Sequence, residues 1–131
     1  MKQPIWVARQ TVDALHTDLL AEHGGAPGLR DEGLLESALA RPRQIFAYSN
    51  CDLLQLAAAY VTGIVRNHPF VDGNKRVAVT VTAAFLKVNG YRLEFDDLKA
   101  YMFLIGLYES GTMRFSELDV WLRAYSSREP K

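Results

Sequence analysis

The strongest constraint on the fold is a pair of apolar segments, residues 52–67 and 74–89, separated by only a few residues. In the first, Leu53, Leu56, Ala57, Tyr60, Val61 and Ile64 recur at helical spacing. Asp52 and Gln55 stand in capping-box order, with aspartate in place of the usual serine or threonine. Pro69 disfavours helical geometry in the residue before it, so this segment predicts a helix closing at His68. The second segment carries two signals. Val77, Val79 and Val81 alternate as in a strand, whereas its length and its Asn89-Gly90 end fit a helix. A helix apolar on every side would be the buried centre of a bundle.

Other segments are available to surround such a centre. In "TVDALHTDLLAEHGG", Val12, Leu15, Leu19 and Leu20 share one helical face, and Gly24-Gly25 gives a stop. His16 and His23 lie on that segment too; with no carboxylate or cysteine completing a ligand set, they read as solvated or partly buried helix residues. In "GLRDEGLLESALARP", Asp31 is the expected N-cap, Leu34, Leu35, Ala38 and Leu39 form the apolar face, and Pro42 is the expected stop. The following "RQIFAYSN" (43–50) then reads as a small hairpin or an ordered loop. Further helices start near Asp96, with Leu98, Tyr101, Met102, Ile105 and Tyr108, and near Ser116, with Leu118, Val120, Trp121 and Leu122. Both aromatic stripes read as core. The polar tail "SSREPK" (126–131) reads as frayed. The expectation is one all-α domain over residues 1–131, a compact bundle of about six helices with at most a small β-hairpin or short strand.

Composition narrows the function classes. The 131 residues are 49% apolar and 23% charged, ordinary for a globular chain. Lys+Arg and Asp+Glu both number 15, so no overall basic field favours nucleic acid or an anionic membrane. The lone Cys51 has no internal disulfide partner and reads as a small apolar residue. "MKQPIWVARQ" lacks the apolar run of a signal peptide, and "LAAAYVTGIV" (56–65) is too short to cross a bilayer. A cytoplasmic protein with no direct nucleic-acid or membrane partner is expected.

The link between the two apolar segments, "HPFVDGNKR", holds the chemistry. A helix opening at Asn74 has free N–H groups and a positive dipole end that favour an anion, commonly phosphate. Gly73 lets backbone approach a ligand. Lys75 and Arg76 are out of place at a positive helix end unless an anion balances them. Asp72 is a hard oxygen ligand suited to Mg²⁺ beside phosphates. His68 is suited to take a proton from an attacking hydroxyl. Asn74 is suited either to capping its helix or to donating to a phosphate oxygen, and Phe70 and Val71 to pinning the loop. "DGN" alone is also a common turn. A calcium loop lacks its further carboxylates here, and a P-loop lacks both its glycine spacing and its Lys-Ser/Thr pair.

"HPFVDGNKR" resembles the signature of the Fic/Doc family, His-x-Phe-x-Asp/Glu-Gly-Asn-Gly-Arg-x-x-Arg. His68, Phe70, Asp72, Gly73, Asn74 and Arg76 match, while Lys75 replaces the second glycine and Val79 the last arginine. Those departures resemble the Doc (death-on-curing) branch, toxins of type II toxin–antitoxin modules. "LLAEHGGAPGLRDEGLLESALARP" (19–42), "DLLQLAAAYVTGIVRNHPF" (52–70) and "FLKVNGY" (85–91) are similar to that branch as well.

The resemblance implies a six-helix core, and hence a helix over 74–90. It implies ATP and Mg²⁺ as cofactors and a protein Ser/Thr kinase that moves the γ-phosphate to a threonine hydroxyl of elongation factor Tu, arresting translation and growth. In that scheme the catalytic residues are His68, Asn74 and Arg76. Gly73, Asn74, Lys75 and Arg76 bind the phosphates, Asp72 binds the metal, and Phe70 anchors the loop. Ile45, Phe46 and Tyr48 match the position of the family's target flap. AMP transfer and a catalytically inactive module binding antitoxin or DNA are the alternatives. No Ser or Thr has a glutamate four residues later, so the family's self-inhibiting helix is absent. A separate Phd-type antitoxin, whose disordered tail folds into a groove, is the implied partner.

Overall fold

Residues 3–130, which the computed structural model describes, build six helices and two short strands. In chain order these are α1 (Arg9–His23), α2 (Glu32–Tyr48), α3 (Leu53–Asn67), α4 (Asn74–Val88), β1 (Tyr91–Leu93), α5 (Asp97–Glu109), α6 (Phe115–Ala124) and β2 (Ser126–Arg128). The all-α expectation holds.

Helix α3 occupies the centre. Asp52 accepts from Gln55 N–H while the Gln55 side chain accepts from Asp52 N–H, a complete capping box that starts the helix. Leu56, Ala57, Ala58, Tyr60 and Ile64 are fully buried, because α3 packs against α2, α4 and α6 together. Helix α4 is enclosed by α1, α3, α5 and β1. Val77, Val79 and Val81 are therefore buried on a helix rather than alternating on a strand. Asp31 and Asp96 cap α2 and α5 by accepting from Leu34 and Lys99 N–H.

Two sequence expectations are corrected here. Helix α2 does not stop at Pro42; it runs through it to Tyr48, so residues 43–48 are helical and not a hairpin or loop. An interior proline costs a helix about 3 kcal/mol. Here packing offsets that loss: Pro42 is fully buried, and Ile45 and Phe46 pack on the core, with Phe46 edge-on to Trp6 at 5.8 Å. The second correction is the tail. Ser126–Arg128 pairs antiparallel with Tyr91–Leu93, and Glu129 N–H bonds Gly90 O at 2.8 Å. The backbone donors of this polar segment are taken up by a strand edge that local sequence does not reveal. Lys131, the last residue of that expected tail, lies outside the described residues. No helix among the described residues is long and apolar enough to cross a membrane.

Candidate functional site

The link between α3 and α4 is held from three sides. His68 N–H closes α3 on Ile64 O at 3.1 Å, and His68 itself sits at φ 50°, ψ 55°. Among the described residues it is the one non-glycine residue with positive φ. Arg30 supports that conformation: its Nε donates to His68 O at 2.6 Å and its Nη2 to Asn67 O at 2.8 Å. A cation there complements the free carbonyls and negative dipole end of α3. The backbone of residues 28–31 runs alongside. Arg30 and Asp31 N–H both bond Pro69 O, Val71 N–H bonds Gly28 O, and Leu29 bridges Phe70.

From beneath, the buried His16 ring stacks on Phe70 at 3.8 Å and 14°. His16 Nε2 lies 2.8 Å from Asp72 O; since a carbonyl only accepts, that nitrogen carries the proton. Phe70 is 2% exposed, pinning the middle of the link in the core.

On the third side, the Asp72 carboxylate accepts from its own neighbour Gly73 N–H at 2.9 Å and from Ala26 N–H at 3.2 Å. Gly25, at φ +121°, allows that second contact: a Cβ on it would lie 2.9 Å from Asp72 Oδ2. Gly73 is the N-cap of α4 at φ 81°, a left-handed conformation that glycine adopts without strain.

Asn74 departs from its expected phosphate-donor role. Its side chain is buried, with Oδ1 accepting from Phe70 N–H at 3.0 Å and Nδ2 donating to Phe70 O at 3.0 Å. The other Nδ2 hydrogen faces His68 Nδ1 at 3.1 Å. The amide thus orders the loop and orients the imidazole, and only the backbone N–H of Asn74 remains for an anion. Because Phe70 fixes which end of the amide is nitrogen, His68 Nδ1 must accept, which places the ring proton on Nε2.

These elements surround a cavity of about 400 Å³ lined by His23, Gly25, His68, Asp72, Lys75 and Tyr101, among others. Val77 N–H is bonded to Gly73 O, so the N–H groups of Asn74, Lys75 and Arg76 precede the first α4 hydrogen bond and are free to receive an anion. Lys75 Nζ lies over the Tyr108 ring at 4.0 Å, and Arg76 Cζ over the Tyr101 ring at 4.1 Å. Asp72 is the one carboxylate lining the cavity, and no cluster of three or more metal-ligating side chains occurs among the described residues. A donor set of one carboxylate beside an anion site fits Mg²⁺ held jointly with phosphates, not a metal caged by protein alone.

The sequence missed four contributors. His16 and His23, read as ordinary helix residues, support the loop and line the cavity; His23 Nε2 lies 3.4 Å from Arg76 Nη1. Their shared helical stripe was the available signal. Tyr101, read as core, is half-buried on the cavity wall. Arg30 carried no local signal. The expected flap residues Ile45, Phe46 and Tyr48 do not line the cavity; they form the last turn of α2, with Tyr48 89% exposed.

The Fic/DOC family model matches residues 6–86, from the segment before α1 into α4. The chain belongs to the Fic/DOC family. It is 31% identical over 124 residues to a protein named "Protein kinase doc" from Escherichia phage P1, covering 94% of this chain and 98% of that protein. It is 43% identical over 77 residues to "Toxin Doc" of Mycolicibacterium smegmatis (strain ATCC 700084 / mc(2)155), covering 56% of this chain and 58% of that protein. The Fic/DOC match takes in the whole 68–76 link and ends at Leu86, so Tyr101 and Tyr108 of α5 lie outside it.

Proposed function

We propose that this protein is a toxin of the Fic/DOC family acting as an ATP-dependent protein kinase, with a threonine hydroxyl of elongation factor Tu as acceptor. The observation that carries the reading is the convergence on one cavity of the free α4 amides, Lys75, Arg76, Asp72 and His68. Backbone amides at a helix start and paired cations are phosphate donors. A volume of about 400 Å³ suits a small-molecule ligand. The near-full-length similarity to a protein named a kinase and the similarity to one named a toxin support the same reading.

The amides of residues 74–76, with Lys75 and Arg76, hold the transferring phosphoryl group of the ATP substrate and the charge that builds on it. The acceptor oxygen bonds to the γ-phosphorus as the bond to the β-phosphate oxygen breaks, and ADP leaves with that oxygen. The hydroxyl proton passes to His68. The nitrogen without a proton is Nδ1, whose lone pair accepts from Asn74 Nδ2 in the resting protein, so that contact opens as the acceptor hydroxyl takes its place. Asp72 would hold Mg²⁺, which when bound offsets phosphate charge.

AMP transfer is disfavoured: Lys75 stands where the family signature has a glycine, and Val79, a buried apolar residue, stands where it has a further arginine. A Phd-type antitoxin is the proposed partner. A groove of about 250 Å³ beside the cavity, lined by Leu19, Val79, Leu98 and Tyr101 among others, suits a helix folded from its disordered tail. The test is ATP labelled at the α- or γ-phosphate, incubated with the protein and elongation factor Tu. Label is expected from γ; label from α replaces the kinase with an AMP transferase, and none from either leaves a binding module.

A further inference from the structure

Lys75 and Arg76 each rest on a tyrosine of α5. The distances are 4.0 Å from Lys75 Nζ to the Tyr108 ring centroid and 4.1 Å from Arg76 Cζ to that of Tyr101, both within cation–π reach. Neither cation has a carboxylate partner among the described residues. Tyr101 and Tyr108 stand two turns apart on one helix, and Lys75 and Arg76 are adjacent on the first turn of the helix it packs against. All four side chains are at least partly solvent-accessible.

This pairing differs physically from an ion pair. A carboxylate would cancel the charge and occupy the N–H donors that an incoming phosphate needs. A ring face stabilises the cation while a guanidinium keeps its in-plane donors at the rim, and an ammonium keeps the hydrogens that point away from the ring. Long cationic side chains are costly to order on binding, and a seat that orders them beforehand lowers that cost. We propose that Tyr101 and Tyr108 are positioning residues for anion binding: they hold Arg76 and Lys75 at the cavity with no carboxylate paired to either, so that α5 belongs to the phosphate site. The inference rests on the proposed use of that cavity for ATP.

The test uses Tyr101→Leu, Tyr108→Leu and the corresponding phenylalanine variants, with inorganic tripolyphosphate plus Mg²⁺ as the calorimetric probe. Each leucine variant is expected to bind roughly threefold to thirtyfold more weakly, as loss of one cation–π contact implies. Phenylalanine keeps the ring and is expected to stay within about twofold. In NMR spectra, ring-current shifts on the terminal methylenes of Lys75 and Arg76 should persist in the phenylalanine variants and vanish in the leucine ones. Unchanged affinity in the leucine variants overturns the inference, as does weakening by phenylalanine equal to that by leucine. Should half-buried Tyr101 be needed for folding, exposed Tyr108→Leu alone decides through Lys75. Ring-dependent tripolyphosphate binding in a protein that transfers nothing from ATP would remove the kinase reading and leave this one standing. Transfer from ATP with undiminished tripolyphosphate affinity in the leucine variants would do the reverse.

Discussion

His68 Nδ1 and Asn74 Nδ2 lie 3.1 Å apart, and the contact fixes the imidazole as the Nε2–H tautomer in the resting protein. Asn74 cannot flip to reverse it, because both ends of its amide are engaged by the Phe70 backbone. Nitrogen-15 spectra of histidine-labelled protein should therefore show the neutral imidazole of His68 carrying its proton on Nε2. In Asn74→Ala the tautomer preference should relax, and stability should fall by roughly 1–3 kcal/mol as Phe70 backbone groups lose their buried partner. A His68 locked at Nδ1–H in the parent would contradict the assignment.

Removing the imidazole separates chemistry from binding. His68→Ala is expected to lower the transfer rate at least a hundredfold, on the order of what general acid–base catalysis contributes. Affinity for Mg-ATP, measured by calorimetry, should change little, since the N–H groups proposed to take the phosphates lie on α4. Parent-like turnover in that variant would end the role of His68 as base.

Arg30 acts on His68 through the backbone. Arg30→Gln should lower turnover while leaving the KM for ATP near the parent value, because the two carbonyls at the end of α3 lose their shared donor. Arg30→Lys should recover little, since an ammonium cannot span both acceptors as a guanidinium does. Equal losses in turnover and ATP affinity would point instead to general disorder of the site.

Gly25 governs the placement of Asp72. Gly25→Ala would drive a Cβ to 2.9 Å from Asp72 Oδ2 at a strained φ of +121°. The expected result is a higher Mg²⁺ concentration for half-maximal transfer. A Mg²⁺ titration unchanged from the parent would show that Asp72 has room to yield.

Alkaline stability should depend on Tyr60. Burial pushes its phenol above the ordinary value of 10.0, against smaller opposing effects from the Val7 hydrogen bond and Arg43. The unfolded chain ionises this group first, so its contribution to stability is intact below about pH 10 and is lost as pH rises beyond that. Tyr60→Phe should unfold less steeply with rising pH in denaturant melts taken above pH 9.

Much of the fold was legible because its signals are local. Aspartates at positions 31, 52 and 96 cap helices by contacts within a few residues, and the stripe from Leu53 to Ile64 is a periodicity any window of the chain displays. Where local and long-range forces opposed each other, the long-range ones prevailed. Pro42 signals a stop, yet burial carries α2 through it; Ser126–Arg128 looks like a frayed end, yet an unpaired edge at Tyr91–Leu93 receives it.

The same division runs through the site. Sequence alone determined that His68, Asp72, Lys75 and Arg76 would gather between two helices, because residues so close along the chain cannot be far apart in space. Only the tertiary structure decided what each side chain faces. It turned Asn74 inward to the loop, set Arg30 under His68, brought His16 and His23 to the loop and cavity, and laid Tyr101 and Tyr108 against the two cations. Those partners are 25 to 60 positions away or on separate helices, and their approach follows from how α1, α4 and α5 pack, about which no short stretch of chain carries information.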